Sequence, residues 1–184
     1  MNLKSYHPNH IIMSEQKLKG KKILIFIGDI YEELELWYPK LRLEEEGAEV
    51  HLAGLKSQTS YTGKNGYDGT SDVSYNDIGV DNYDGLVIPG GYMPDKLRRD
   101  NKVLEITAEF HEQEKMVAFI CHGGWIPISA GIVKGKKLTS VNAIKDDLTN
   151  AGAEWVDEPV VVDGNIITSR TPVDLGHFSR AMIS

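Results

Sequence analysis

The chain has a single cysteine, Cys121, among 184 residues. One thiol excludes an intrachain disulfide framework and a cysteine-ligated zinc site, and it fits a reducing, cytoplasmic compartment. Basic blocks are missing as well: lysine and arginine total 20 against 27 aspartate and glutamate, a formal net charge of −7. That balance argues against nucleic acid or an anionic membrane surface as the main partner. No apolar run reaches the roughly 20 residues that a spanning helix needs, and residues 1–19 lack the apolar stretch of a secretory signal. Neither the dinucleotide fingerprint nor the Walker phosphate loop occurs. His7, His10, His51, His111 and His177 show no metal-ligand spacing, so neither a metal nor a cofactor is expected.

What is present suits one well-buried domain. Hydrophobic residues make up 41% of the chain, enough for one sizeable core at this length. Residues 1–20 read as a flexible N-terminal arm and residues 21–184 as a single domain. From Lys21 onward strand-like and helix-like segments alternate, the pattern of an α/β fold with a parallel sheet flanked by helices. Residues 22–27 are a continuous apolar run, as expected of a strand buried on both faces. Residues 32–46 place Leu34, Trp37, Leu41 and Leu43 at roughly helical spacing and end at Gly47, a good helix terminator. Further strands are expected at 48–53, 83–89, 116–120 and 138–141, and helices at 101–113, 125–130, 144–151 and 173–183. Residues 58–81 read as a small antiparallel excursion. Residues 160–167 read as a hairpin whose turn is Asp163-Gly164.

Three of these segments end in residues able to do chemistry. The run at 116–120 delivers Cys121-His122-Gly123-Gly124, the make-up of a nucleophile elbow between a strand and a helix. Gly123 and its neighbour admit the tight backbone, and free N–H groups at the helix start favour thiolate over thiol. A free cysteine is more often a buried structural residue; the Cys-His-Gly-Gly context argues for a nucleophile. Glu32 and Glu35 fall on one helical face. Glu35, one turn in, can lean towards the thiol and hold or move a proton, although acidic first turns are common without any function. Glu33 fits that plain role. Pro89-Gly90-Gly91 follows another buried strand, and its N–H groups with that of His122 could form an oxyanion hole; the plainer reading is a tight turn. His122 is the natural base near neutral pH and needs a carboxylate to orient it, for which Asp95 is the candidate. In a doubly wound sheet all three strand ends meet at one rim.

The chain resembles the ThiJ/PfpI superfamily, most closely the PfpI-type intracellular cysteine protease/deglycase branch, over about residues 21–184. The resemblance is carried by Glu32-Glu-Leu-Glu-Leu-Trp-Tyr-Pro39, Tyr61-Thr-Gly-Lys-Asn-Gly-Tyr67, Leu86-Val-Ile-Pro-Gly-Gly91, Ile120-Cys-His-Gly123, Ile144-Lys-Asp-Asp147, Asn150-Ala-Gly-Ala-Glu-Trp155 and Val160-Val-Val-Asp-Gly-Asn165 with Thr168-Ser-Arg170. It implies a flavodoxin-like three-layer sandwich related to class I glutamine amidotransferase domains, assembled as a homodimer or hexamer. It further implies a cofactor-free stress-response enzyme acting on small reactive carbonyls or on modified proteins and peptides, as a deglycase, glyoxalase or peptidase. By position it makes Cys121 the nucleophile, His122 the adjacent base, Glu35 the acid beside the thiol and Glu32 a second acidic neighbour. Three departures bear on peptide cleavage. Asp95 stands where PfpI-type members have a glutamate that reaches a neighbouring subunit's histidine, Gly124 replaces a proline, and Val141 replaces a tyrosine. A redox-sensing or chaperone-like role without turnover is the reading from a different class.

Overall fold

The computed structural model describes residues 16–184. The elements in the first half are β1 (Lys22–Phe26), α1 (Glu33–Glu45), β2 (Glu49–Gly54), β3 (Ser60–Thr62), β4 (Asp68–Thr70), β5 (Val73–Ser74) and β6 (Gly85–Ile88). Next come α2 (Met93–Leu97), α3 (Asn101–Glu112), β7 (Met116–Ile120), α4 (Trp125–Ser129), β8 (Lys137–Leu138) and α5 (Lys145–Asn150). The chain closes with β9 (Glu154–Trp155), β10 (Val160–Asp163), β11 (Ile166–Ser169) and α6 (Leu175–Ile183).

Among the described residues the main sheet has seven strands in the order β10-β11-β7-β6-β1-β2-β5. All neighbours run parallel except β10 on β11. In β1, β6 and β7 the consecutive residues Ile23–Phe26, Gly85–Ile88 and Val117–Ile120 are buried without alternation, because helices cover both sides of a parallel sheet. Helix α1 packs with α6, while α3 packs with α4 and α4 with α2, the two outer layers of a flavodoxin-like sandwich. The central strands β1, β6 and β7 all point their carboxyl ends at one rim, where this sheet class holds its ligands.

Several expectations need correction. The strand expected at 138–141 is only Lys137–Leu138, paired with β9 in a separate small sheet. Beyond it Thr139 N–H turns to the Thr168 hydroxyl at 3.0 Å and Ser140 Oγ accepts from Trp155 Nε1 at 3.0 Å, so side chains replace the ladder. The hairpin turn is shifted by one: Asp163 pairs with Ile166, which leaves Gly164-Asn165 as the two-residue turn, with Gly164 at φ +61°. On α1 the expected apolar stripe is out of phase. Leu34 and Leu41 are 57% and 60% exposed, and the buried side carries Glu33, Glu35, Leu36, Pro39 and Leu43 instead. Leu43 is buried as expected, but the helix is rotated so that Glu33 and Glu35 share the inward face with Leu36 and Leu43, while Leu34 and Leu41 turn outward. Of the expected arm, residues 1–15 lie outside the described residues. The last part is docked rather than flexible, with Leu18 N–H on the Glu46 carbonyl at 2.8 Å. Among the described residues no helix is long and apolar enough to cross a membrane.

Candidate active site

Strand β7 ends at Ile120, and the next residue breaks the backbone rule for L-residues. Cys121 has φ +58°, in the left-handed region, and opens a 3-10 turn, Cys121–Gly124, that runs into α4. Such a conformation is held only where the surroundings force it, and it cants the thiol out of the strand into the rim. A second strained residue faces it. Ile30, β-branched at φ +66°, gives its carbonyl to the N–H groups of Tyr92 at 2.9 Å and Met93 at 3.2 Å. Both Ile30 and Cys121 line one cleft of about 350 Å³, with Glu32, Glu35, Lys64, Gly91, Tyr92, His122, Trp125 and Pro172.

The Pro89-Gly90-Gly91 turn is what lets the carboxyl and the thiol meet. A Cβ on Gly90 would lie 2.6 Å from Glu35 Oε2 and 2.9 Å from Cys121 Cβ, so only glycine leaves room for both. A Cβ on Gly91, at φ +79°, would lie 2.4 Å from the Ile30 carbonyl oxygen. Gly90 does not offer its N–H to a substrate: that group donates to Glu35 Oε2 at 2.7 Å. This corrects the expectation of an oxyanion donor there. Gly123 is held to glycine by packing, since a Cβ there would sit 2.5 Å from the Ile88 carbonyl oxygen. Gly91 borders the cleft.

Glu35 is fully buried beside Cys121 and is pushed up to about 8, first by burial and then by the negative charge of Glu32. At neutral pH it is therefore a neutral acid. Its Oε1 has no hydrogen-bond partner among the described residues. Burial pushes the Cys121 thiol up as well, to about 12, with the charge of Glu35 adding to it and the His122 backbone N–H opposing. Desolvation therefore works against the thiolate that the helix start was expected to favour, and that start is only a short 3-10 turn. His122 Nδ1 lies 3.4 Å from the sulfur. Burial lowers its pKa, Lys64 lowers it further and Asp147 works against both, so at neutral pH the ring is uncharged and able to accept a proton. Its ring packs on Trp125 with centroids 4.9 Å apart, and Trp125 Nε1 in turn donates to Asp147 at 2.9 Å.

Glu32 caps α1 through its Oε2, which accepts Glu35 N–H at 2.8 Å. Asp95 is not brought to His122 within the chain. It forms an i,i+4 ion pair with Arg99 and is not among the residues that line the cleft. Lys64, Tyr92 and Ile30 were not singled out from the sequence. Lys64 in particular lies in a polar loop 57 residues from the cysteine, where composition carries no sign of a site. Among the described residues no group of three or more acidic, histidine or cysteine side chains could hold a metal ion.

A parallel sandwich that seats a thiol on a strained strand end, against a buried carboxyl and an uncharged imidazole, defines a cysteine-elbow α/β protein. The comparisons sharpen that class: the profile of the DJ-1/PfpI family matches residues 21–184, and the chain belongs to that family. A deglycase of Thermococcus kodakarensis is 46% identical over 162 residues, covering 88% of this chain and 97% of that one. Deglycase PfpI of Pyrococcus furiosus is 44% identical over 162 residues with the same coverage, 88% and 97%. Among solved structures, a two-domain protein of Anabaena variabilis with DJ-1/ThiJ/PfpI-like and ferritin-like domains superposes with a TM-score of 0.87 at 39% identity, covering 89% of this chain and 47% of that one. Drosophila melanogaster DJ-1beta gives a TM-score of 0.84 at 27% identity, covering 89% of this chain and 88% of that one.

Proposed function

We propose that this protein is a cysteine-dependent, cofactor-free enzyme that acts on reactive carbonyls or their adducts on amines and thiols, a deglycase or glyoxalase. The observation that carries the reading is the thiol of Cys121 held between a neutral acid, Glu35, and a neutral base, His122. Relatives named as deglycases support it. Since the resting sulfur is protonated, the nucleophile forms in the encounter. The thiol proton passes to His122 Nδ1 as the sulfur adds to the aldehyde carbon. The carbonyl π pair moves to oxygen, which takes the proton of Glu35. With a 2-oxoaldehyde, the new thiohemiacetal carbon passes its proton to the neighbouring carbon and its hydroxyl passes a proton to the neighbouring carbonyl oxygen, which leaves a thioester of a 2-hydroxy acid. Water cleaves that thioester, releases the acid and restores the thiol, and the proton held by His122 returns to Glu35, so no external oxidant or reductant enters.

Peptide hydrolysis by the same sulfur makes a heavier demand on His122, which must stay oriented through an acylation and a leaving-group protonation. Within the chain Asp95 is committed to Arg99, so this second activity rests on a carboxylate from an associated copy. Assays on a methylglyoxal hemithioacetal and on a fluorogenic peptide, with size measured by sedimentation, separate the two. Hemithioacetal turnover lost in Cys121→Ser supports the primary reading. Peptide cleavage alone, lost in the same variant, overturns it.

A further inference from the structure

The cleft contains one group that the proposed chemistry leaves unused. Lys64 sits on the loop between β3 and β4, and that loop is fastened to the start of α1. Lys64 N–H donates to the Tyr31 carbonyl at 2.9 Å, and Gly66 N–H to that of Gly63 at 3.0 Å. The next residue, Asn65, gives its backbone N–H at 2.6 Å and its side-chain amide at 2.8 Å to the two oxygens of Glu33. A loop tip held at four points does not wander, so the position of its lysine is built in. Among the described residues Lys64 is the one lysine or arginine lining the cleft.

Its ammonium is also under-used. It forms an ion pair with Glu32, whose Oε1 lies 3.6 Å away, beyond hydrogen-bond length, and whose other oxygen is spent on capping α1. Among the described residues Nζ donates no hydrogen bond, and its three donors are open to a ligand. The remaining walls (Ile30, Tyr92, Trp125, Pro172) are largely apolar, and a volume near 350 Å³ suits a ligand of few carbons.

We infer that Lys64 is a specificity-determining residue that makes the thiol cleft take small carboxylates with an oxo or hydroxy group on the adjacent carbon. The carboxylate sits on Nζ, and the neighbouring carbon is presented to Cys121. The inference rests on the thiol–carbonyl reading for its chemistry, but its binding half stands apart from turnover. With glyoxylate the sulfur adds to the aldehyde carbon, the carbonyl oxygen gains the proton lost by sulfur, and a reversible thiohemiacetal results without change of oxidation level. The 2-hydroxy acid formed from a 2-oxoaldehyde carries the same carboxylate, so Lys64 holds product, and turnover is product-inhibited.

The experiment measures glycolate and its neutral isostere glycolamide by calorimetry against the wild type, Lys64→Met and Lys64→Arg, with Cys121→Ser as a form that cannot react. Glycolate should bind the wild type and Cys121→Ser alike and weaken as salt rises. It should lose roughly tenfold or more in Lys64→Met, as expected for a charge-assisted contact, and recover in Lys64→Arg, while glycolamide is indifferent to the substitution. Equal binding of the acid and the amide by the wild type, or glycolate affinity unmoved in Lys64→Met, would overturn the inference. The salt dependence of the wild type decides the matter if the methionine variant misfolds. Glycolate binding without hemithioacetal turnover would sink the deglycase reading and leave Lys64 as assigned; turnover without glycolate binding would do the reverse.

Discussion

The two sides of the first turn of α1 bury the same functional group and treat it in opposite ways. Glu33 faces the β3–β4 loop. Burial pushes it up, but the backbone and side-chain N–H groups of Asn65 outweigh that, and its net shift is down. Glu35, two residues on, faces the sheet rim, where burial meets one strong N–H from Gly90 and the charge of Glu32, and it is pushed up to about 8. One carboxylate fastens a loop; the other is left short of donors and keeps its proton. The difference lies in how many donors the surroundings supply, which is how a protein makes an acid from one glutamate and a tether from its neighbour.

That contrast can be broken or sharpened by substitution. The largest effect is expected at the group Glu35 serves: Cys121→Ser should lower hemithioacetal turnover by roughly 10³-fold or more with the circular dichroism spectrum unchanged. Glu35→Gln should follow, with a loss of ~10²–10⁴-fold in kcat, the range for a positioned proton donor. Glu33→Gln should lose far less activity and instead lower stability by about 1–3 kcal/mol, read by urea unfolding, because Asn65 and its loop lose a charged acceptor. Gly90→Ala should disturb both the acid and the thiol through its methyl group and cost about 1–3 kcal/mol by overcrowding.

The stability–pH curve separates the two glutamates by sign. Glu35 binds its proton more tightly folded than unfolded. Its contribution is therefore present below about 4.5, is lost as pH rises towards about 8, and should vanish from the curve in Glu35→Gln. Glu33 is shifted down, so its contribution is present above its ordinary value near 4.5 and is lost as pH falls below it. Chemical unfolding at a series of pH values in the two glutamine variants would show slopes removed from opposite limbs. A common limb would break the comparison.

Much of this was legible in the sequence, and the misses share a cause. The buried parallel strands could be read because a strand covered on both faces is apolar at every residue, as in Leu24–Phe26 and Val117–Ile120. Cys121, His122, Glu35 and Glu32 could be placed at one rim because the carboxyl ends of parallel strands converge there. The phase of α1 could not, since the spacing fits Leu34 and Leu41 as well as Leu43, whereas Glu33 and Glu35 take the inward positions beside Leu36 and Leu43. Nor could the occupation of the Gly90 N–H by Glu35, a contact 55 residues apart in sequence. The burial of the thiol is hidden for a related reason: a helix start is visible in a motif, whereas the desolvation that opposes it exists only after packing. Lys64 was invisible because what fixes it is two hydrogen bonds from its neighbour to Glu33.

The account stands on Glu35 keeping its proton beside the sulfur. The most direct test is a carbon-13 NMR titration of the Glu35 side-chain carboxyl, assigned by its loss in Glu35→Gln. The account predicts a midpoint near 8. A midpoint at the ordinary glutamate value near 4.5 would mean a charged neighbour for Cys121 and would contradict it.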